Sequence, residues 1–330
     1  MGNEGKLKMM KNFKVFNFAV LFSALLLSFG SCESTQSESS SANNSNIKQE
    51  ESTISPSNSA FEKELETLEI KVIAQPAAPV AGSPFASPYT VSVKDSEGNP
   101  RSDFTFTVTA PSGKADGKVT YTTFDLTTDA QGKVSYKPET FSTSINGTIT
   151  FMPKPPVKSN SFVKAAKAHA VEVPCRVRFA LGKKSILVNL VDYDQKGKMI
   201  DGSGISSSNL VGEFWRAGYP YQAQNADFHR QIDAGSAAVY ARAKEMVQGS
   251  TYYKYIVYGK VKYASDITEV EGGYSLSLTG SVTVIDWTTG KDIYTVTKTS
   301  TVTDKNKWAV LKACQTQLAK DLANDLVYSM

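Results

Sequence analysis

The sequence is poor in the residues that usually carry chemistry. Three cysteines and two histidines stand among 330 residues. Cys32, Cys175 and Cys314 are too few for a disulfide framework, and two buried thiols at positions 175 and 314 are the expected state. His169 and His229 do not supply the clustered nitrogen and sulfur ligands that zinc wants. A Gly-rich phosphate loop, a nucleophile elbow and an HExxH helix are all missing. Asp192-Tyr193-Asp194-Gln195-Lys196-Gly197 opens like a calcium loop, but Lys196 takes its fifth position and Ser203 its twelfth, where Glu belongs. It reads as a solvated turn. These absences lead to the expectation of no catalysis, no metal and no cofactor. An excess of one charge is missing too. The formal net charge is +4, but Lys6, Lys8, Lys11 and Lys14 against Glu4 sit in the first 31 residues, which leaves the rest near neutral. No basic field argues for nucleic acid. The longest apolar run, Val15 to Phe29, falls short of the roughly 20 residues of a membrane-spanning helix.

That short run is itself informative. Lysines precede it, and Gly30 and Ser31 follow it, slim residues of the kind a signal peptidase accepts, immediately before Cys32. Leu27-Ser28-Phe29-Gly30-Ser31-Cys32 resembles the lipobox of bacterial lipoproteins, with Phe29 where the strict pattern has Leu. The resemblance implies a signal peptide over residues 1–31, lipidation (palmitate included) at Cys32, and attachment to a membrane of the cell envelope through that lipid. It favours the outer membrane over the inner, facing the periplasm or the cell surface. From Glu33 to about residue 60 Ser, Asn, Gln and Glu dominate, with Ile47 and Ile54 as the bulky apolar exceptions. Such a segment cannot bury enough surface to offset its ordering entropy. Residues 32–66 are therefore expected to be a disordered tether with a reach of roughly 30 Å, and Phe61 to Leu68 either a short helix or the lead-in to a first strand.

Residues 67–180 read as β structure. Short Thr-, Val- and aromatic-rich runs alternate at period two, among them Tyr89 to Val93, Phe104 to Val108, Thr148 to Phe151 and Val171 to Val173. Turn signals at Asp95 to Pro100, Ala110 to Gly113 and Asp129 to Gly132 separate them. Pro153 to Ala170 reads as a long exposed loop. The phrases Val93-Lys94-Asp95-Ser96-Glu97-Gly98-Asn99-Pro100 and Thr128-Asp129-Ala130-Gln131-Gly132-Lys133-Val134 resemble bacterial immunoglobulin-like domains of the invasin type. That resemblance implies an Ig-like β-sandwich and is nearly silent on function.

Residues 183–330 change period. Ile186 to Val191 is almost continuously apolar, as in a strand covered on both faces. Leu210, Val211, Phe214 and Ala217 have helical spacing, with Ser208 or Asn209 as cap and Gly218 as stop. A second helix is expected over about Asp227 to Gln248, interrupted by Gly235. Strands over Tyr252–Tyr263, Tyr274–Trp287 and Lys291–Thr303 follow, then a helix from about Lys305 to Tyr328. The order predicts an α/β (α+β) domain with helices packed on a mixed sheet. The opening strand, the phrase Tyr255-Ile256-Val257-Tyr258-Gly259-Lys260-Val261, the phrase Val282 to Lys291 and the closing Ala/Leu helix resemble the periplasmic domain of CsgG-type secretion lipoproteins, Lpo-type activators of penicillin-binding proteins and FlgT. Asp286 reads as a turn-former.

Aromatic side chains give the one hint of binding. Trp215, Tyr219 and Tyr221 cluster near a helix end and are the candidate contact residues, because Trp and Tyr are enriched at interface hot spots. The alternative, that they fill a core, is the stronger of the two. By parity Tyr253, Tyr255 and Tyr263 are expected on one face of their strand, and Tyr252 and Tyr258 on the other. Together these readings give a multidomain, lipid-anchored protein of the cell envelope that binds or scaffolds a protein partner in an envelope assembly or the cell-wall machinery. A surface adhesin and a CsgG-like secretion channel are the alternatives, and the oligomeric state stays open.

Overall fold

The computed structural model describes residues 57–202, 204–220 and 222–330. Within them the protein is mixed α+β, with two antiparallel sheets in the first half, one mixed sheet in the second, and a few helices.

The first half starts with α1 (Asn58–Glu66), which Ser57 caps by accepting a hydrogen bond from the Ala60 amide at 3.2 Å. α1 thus lies within the stretch 32–66 expected to be a tether. Phe61 and Leu65 explain why: both are buried, Phe61 against Phe162 with ring centroids 5.6 Å apart. Seven strands follow, β1 (Glu69–Ala74), β2 (Tyr89–Lys94), β3 (Thr105–Ala115), β4 (Lys118–Thr127), β5 (Lys133–Tyr136), β6 (Ile145–Pro153) and β7 (Val171–Val177). One sheet runs β1-β2-β5 and the other β4-β3-β6-β7, with every pairing antiparallel. The period-two residues meet in one core, Val91 and Val93 from the first sheet against Phe106, Val108, Ile149, Val173 and others of the second. The turn phrases owe their form to Asx geometry. Asp95 accepts from the amides of Glu97 and Asn99, and Asp129 from those of Gln131 and Lys133. The Pro153–Ala170 stretch is not all loop. It holds α2 (Asn160–Ala168), whose Phe162, Ala165 and Ala166 pack on α1. The Ala/Lys-rich pattern hides this helix because its apolar stripe is satisfied by a distant segment.

The second half holds β8 (Ser185–Asp192), α3 (Ile205–Arg216), β9 (Ala223–Asn225), a 3-10 turn (His229–Ala234), α4 (Ser236–Met246), β10 (Tyr253–Tyr263), β11 (Thr268–Val270), β12 (Gly273–Asp286), β13 (Asp292–Asp304) and α5 (Val310–Ser329). The sheet runs β9-β8-β10-β12-β13, with β11 beside the start of β12. β8 is parallel to both β9 and β10, and the remaining pairs are antiparallel. Every residue of β8 is buried. Ile186, Val188 and Leu190 face Leu210 and Phe214 of α3 and Leu318, Leu322 and Leu326 of α5. Leu187 and Val191 face Ile232, Val239 and Ala243 on the opposite side. Gly259 lets β10 and β12 close up, since a Cβ there would lie 2.2 Å from the Ser281 carbonyl oxygen.

Three details depart from the sequence reading. The second helix is split, because Gly235 at φ +88° turns the chain between the 3-10 segment and α4. Helix α3 starts at Ile205, before Ser208, because Asp192 of β8 accepts from the Ser206 amide (3.4 Å) and hydroxyl (2.5 Å) and supplies the cap from outside. Tyr253 lies with Tyr258 on the α4 side, apart from Tyr255 and Tyr263, because the β8–β10 register slips between Tyr253 and Tyr255.

The two halves are bonded to each other. Arg178 exchanges backbone hydrogen bonds with Pro79 and Ala81 (2.8 Å each) and donates through Nη1 to the Ala217 carbonyl, also at 2.8 Å. Lys114 of β3 donates to the Ser329 carbonyl of α5 at 2.9 Å.

Candidate binding surface

Of the candidate contact residues, Tyr219 and Trp215 do not share one surface. Tyr219 is buried, stacked on Phe179 with centroids 4.3 Å apart, and donates to the Phe179 carbonyl at 2.6 Å. Burial holds its phenol far above the usual tyrosine range. Trp215 is half-exposed at the end of α3 and donates to the Ala223 carbonyl at 3.3 Å. Tyr221 and the lipidation candidate Cys32 lie outside the described residues.

The groups that look chemical are committed to structure. Buried Asp192 caps α3 and also accepts from Gln315 Nε2 of α5 at 3.2 Å. His229 bridges Asp227 through Nδ1 and Asp201 through Nε2 (2.7 Å), which ties the loop after β8 to the 3-10 turn. Asp194 accepts from the amides of Lys196 and Lys198, so the calcium-like phrase is a turn. Asp286 takes the amides of Thr288 and Thr289 in the same way. Cys175 and Cys314 are unpaired and buried in separate cores, and burial raises both thiols, Cys175 to about 11. Among the described residues, no group of three or more His, Cys, Asp and Glu side chains is placed to hold a metal ion.

What the fold does assemble is an apolar tip. β8 and β10 are parallel, so their carboxyl ends share one end of the sheet with the start of β12 and the end of β13. Three connections emerge there. The loop after β8 is held by the Ile200 amide on the Asp192 carbonyl (2.9 Å). The loop after β10 is held by the Ala264 amide on the Ser277 carbonyl (2.9 Å). The turn after β13 is braced by the Asn306 amide on Asp304 (2.8 Å) and the Trp308 amide on Asn306 (2.9 Å). Across this end Ile200, Ile205, Val270 and Trp308 are exposed, Trp308 at 88 %. The braced turn leaves the indole in solvent. Lys305 and Lys307 flank it, and the Lys307 ammonium sits 6.0 Å above the Tyr274 ring. Sequence reasoning missed this site because it ran the last helix back to Lys305. The available signal was a lone Trp in a Lys-Asn-Lys-Trp turn.

The first half also carries the α1–α2 pair, packed through Phe61 and Phe162. β6 starts beside the second half, where Ser144 meets the Met330 carbonyl and Asn146 meets Ser329. It ends at Pro153, from which the chain passes to α2. Glu64 of α1 is bound there by Arg101 at 2.8 Å. Among the described residues no helix is long and apolar enough to cross a membrane.

Residues 185–327, which run from β8 into the last turn of α5, match the family described as "TP0693-like lipoprotein, C-terminal domain". The match supports a bacterial lipoprotein and fits the cell envelope. No curated protein matches the chain. Among solved structures the chain is similar to the PelC dodecamer from Paraburkholderia phytofirmans, at 20 % identity and a TM-score of 0.30, covering 45 % of this chain and 89 % of that one. It is similar to the hypothetical protein CT253 from Chlamydia trachomatis, at 14 % identity and 0.29, covering 44 % and 98 %. It is also similar to the lipoprotein GNA1162 from Neisseria meningitidis, at 9 % identity and 0.26, covering 43 % and 97 %. These are distant likenesses.

Proposed function

We propose that the protein is a lipoprotein of the cell envelope, acylated at Cys32 after export, and that its folded part is a non-enzymatic binding module whose protein partner docks on the apolar tip of the second half. The observation that carries this reading is the exposure of Ile200, Ile205, Val270 and Trp308 on connections at one end of the second half's sheet. A half-buried Trp in a pocket of the partner is the kind of residue that dominates interface energies. The rim of Lys305, Lys307, Glu269 and Glu271 supplies polar specificity around it.

The first half acts as a spacer between anchor and tip. Two antiparallel sheets, β1-β2-β5 and β4-β3-β6-β7, over one core support an Ig-like sandwich in which the fourth strand lies on the second sheet. The second half's order of strand, helices, strands and closing helix supports the resemblance to CsgG-, Lpo- and FlgT-like periplasmic domains. The outward faces of β12 and β13 are lined with Thr and Ser, whereas a lipid-facing hairpin needs an apolar band. This favours a binding module over a secretion channel.

Two experiments test the reading. Mass spectrometry of the mature protein should find acyl chains on Cys32, and Cys32→Ala should leave the membrane fraction; an unmodified Cys32 sinks the anchor. Crosslinking and affinity recovery from native envelopes should yield one envelope protein with the parent chain and lose it with Trp308→Ala. Equal recovery with both sinks the tip.

A further inference from the structure

β13 is a lightly guarded edge strand. Its inner side pairs with β12 from Tyr274↔Asp304 to Ile285↔Asp292, and among the described residues no strand pairs with its outer side. About half of its backbone amides and carbonyls point outward in such a ladder. Natural edges are blunted by Pro, by charges or by bulges. Between its terminal aspartates this strand has no Pro and one charged side chain, Lys298, which Asp325 of α5 neutralises at 2.6 Å. The one register slip lies at its Asp292 end, between Val284 and Ile285 of the partner strand.

The sequence of the edge is close to a palindrome. Thr295-Val296-Thr297-Lys298-Thr299-Ser300-Thr301-Val302-Thr303 reads the same in both directions about Thr299, except that Lys298 stands opposite Ser300. An antiparallel pair formed by two such strands on a two-fold axis through Thr299 therefore matches like with like. Thr295 meets Thr303, Thr297 meets Thr301, and Thr299 meets its own copy. Opposing residues share parity, so faces are kept. The hydroxyl rows already joined across β12 and β13, Ser277–Thr301 and Thr279–Thr299 at 2.7 Å and Ser281–Thr297 at 3.1 Å, continue into the second copy. On the α5 face Val296 meets Val302. Lys298 meets Ser300, whose hydroxyl donates to Asp321 at 2.6 Å, so the cation approaches a carboxylate and no like charges collide.

From this we infer that the outer edge of β13 pairs with the β13 of a second copy of this chain, making one continuous sheet through an isologous dimer. The two-fold axis sets the two β13 strands antiparallel. Each copy's Asp304 end then lies beside the start of the partner copy's β13, where Ile293 is exposed.

The test is made on the full chain with the oligomeric state and cysteine crosslinking as readouts. Sedimentation of the parent should show a concentration-dependent dimer. Thr299→Lys sets two ammonium groups face to face on the axis, and it should raise the dimer dissociation constant about tenfold or more, while the diluted variant still unfolds in one cooperative transition. Thr299→Cys should form an intermolecular disulfide under a mild oxidant. Thr297→Cys alone should not, but Thr297→Cys mixed with Thr301→Cys should. A parent that stays monomeric at every concentration overturns the inference. So does a Thr297→Cys chain that crosslinks to itself as readily as Thr299→Cys, because that is a different register. A dimer unaffected by Thr299→Lys places the interface elsewhere and overturns it too. None of these readouts depends on Trp308 or on a partner, so this inference and the tip reading fail separately.

Discussion

On the outward face of the β3–β4 hairpin, Thr105 meets Thr127 at 3.2 Å and Thr109 meets Thr123 at 3.1 Å. On the outward face of β12–β13, Thr279 meets Thr299 at 2.7 Å and Thr283 meets Thr295 at 3.3 Å. Both hairpins end their sheets, and both satisfy an exposed face with cross-strand hydroxyl pairs. Their edges are finished differently. β4 carries Asp125, which binds Lys154 at 2.8 Å and breaks the row opposite Thr107, and an exposed Tyr121; its partner β3 slips register between Pro111 and Gly113. β13 keeps a clean Thr row and a straight ladder past Val284. The contrast shows that the face and the edge of a hairpin are separate design problems. Hydroxyl ladders solve the first in both halves. Charge and a bulge solve the second in one half, and in the other it is left for a partner strand.

The largest perturbation removes the floor under each hairpin. Phe106→Ala below β3–β4 and Leu322→Ala, whose side chain lies under Gly280 of β12, should each cost about 3–5 kcal/mol in chemical denaturation. Because the halves are bonded at Arg178 and Lys114, both variants should move one shared transition. Two separate transitions would break the comparison into independent domains.

A smaller effect separates the acids. Burial pushes the Asp325 carboxyl up, but Lys298, Tyr294 and Ser329 pull it down further, so it sits below the ordinary carboxylate range. A lowered folded-state pKa gives stability that is present above the unfolded value of about 4 and is lost as pH falls through the folded value. Asp325→Asn should therefore cost about 2 kcal/mol at neutral pH, and the deficit should close on acidification. Asp125 is also lowered, by Lys154 and Thr107, but it is fully exposed, and Asp125→Asn should leave the neutral-pH transition in place. Denaturation at pH 7 and pH 3 checks both.

Smaller again, Thr279→Val and Thr109→Val should each change stability by about 0.2–1 kcal/mol, with similar sizes in the two ladders. A much larger value in one would mean that its hydroxyls serve more than each other. Smallest is Trp308→Ala, which should leave the melting curve within about 0.5 kcal/mol because the indole touches little of its own chain.

Much of this was legible in local chemistry. The unbroken apolar run of β8 announced a strand covered twice, and the Asp-led turns at Asp95, Asp129 and Asp286 announced themselves through Asx geometry. The features that escaped depend on distant partners. α2 is a helix because Phe162 meets Phe61, about a hundred residues away along the chain. α3 starts early because Asp192 caps it from a strand. Tyr253 changes face through a register slip that parity counting cannot see. Of the candidate contacts, Tyr219 turned out to be a core residue holding Phe179. The apolar tip draws Ile200, Val270 and Trp308 from three connections that only the sheet brings to one end.

The measurement that bears most directly on the account is site-specific photocrosslinking in native envelopes, with the probe placed at position 308 on the tip or at position 121 on the edge of β4. The account expects a covalent adduct to a different envelope protein from 308 and none from 121. Adducts from 121 alone, or from 308 only to a second copy of this chain, would contradict it.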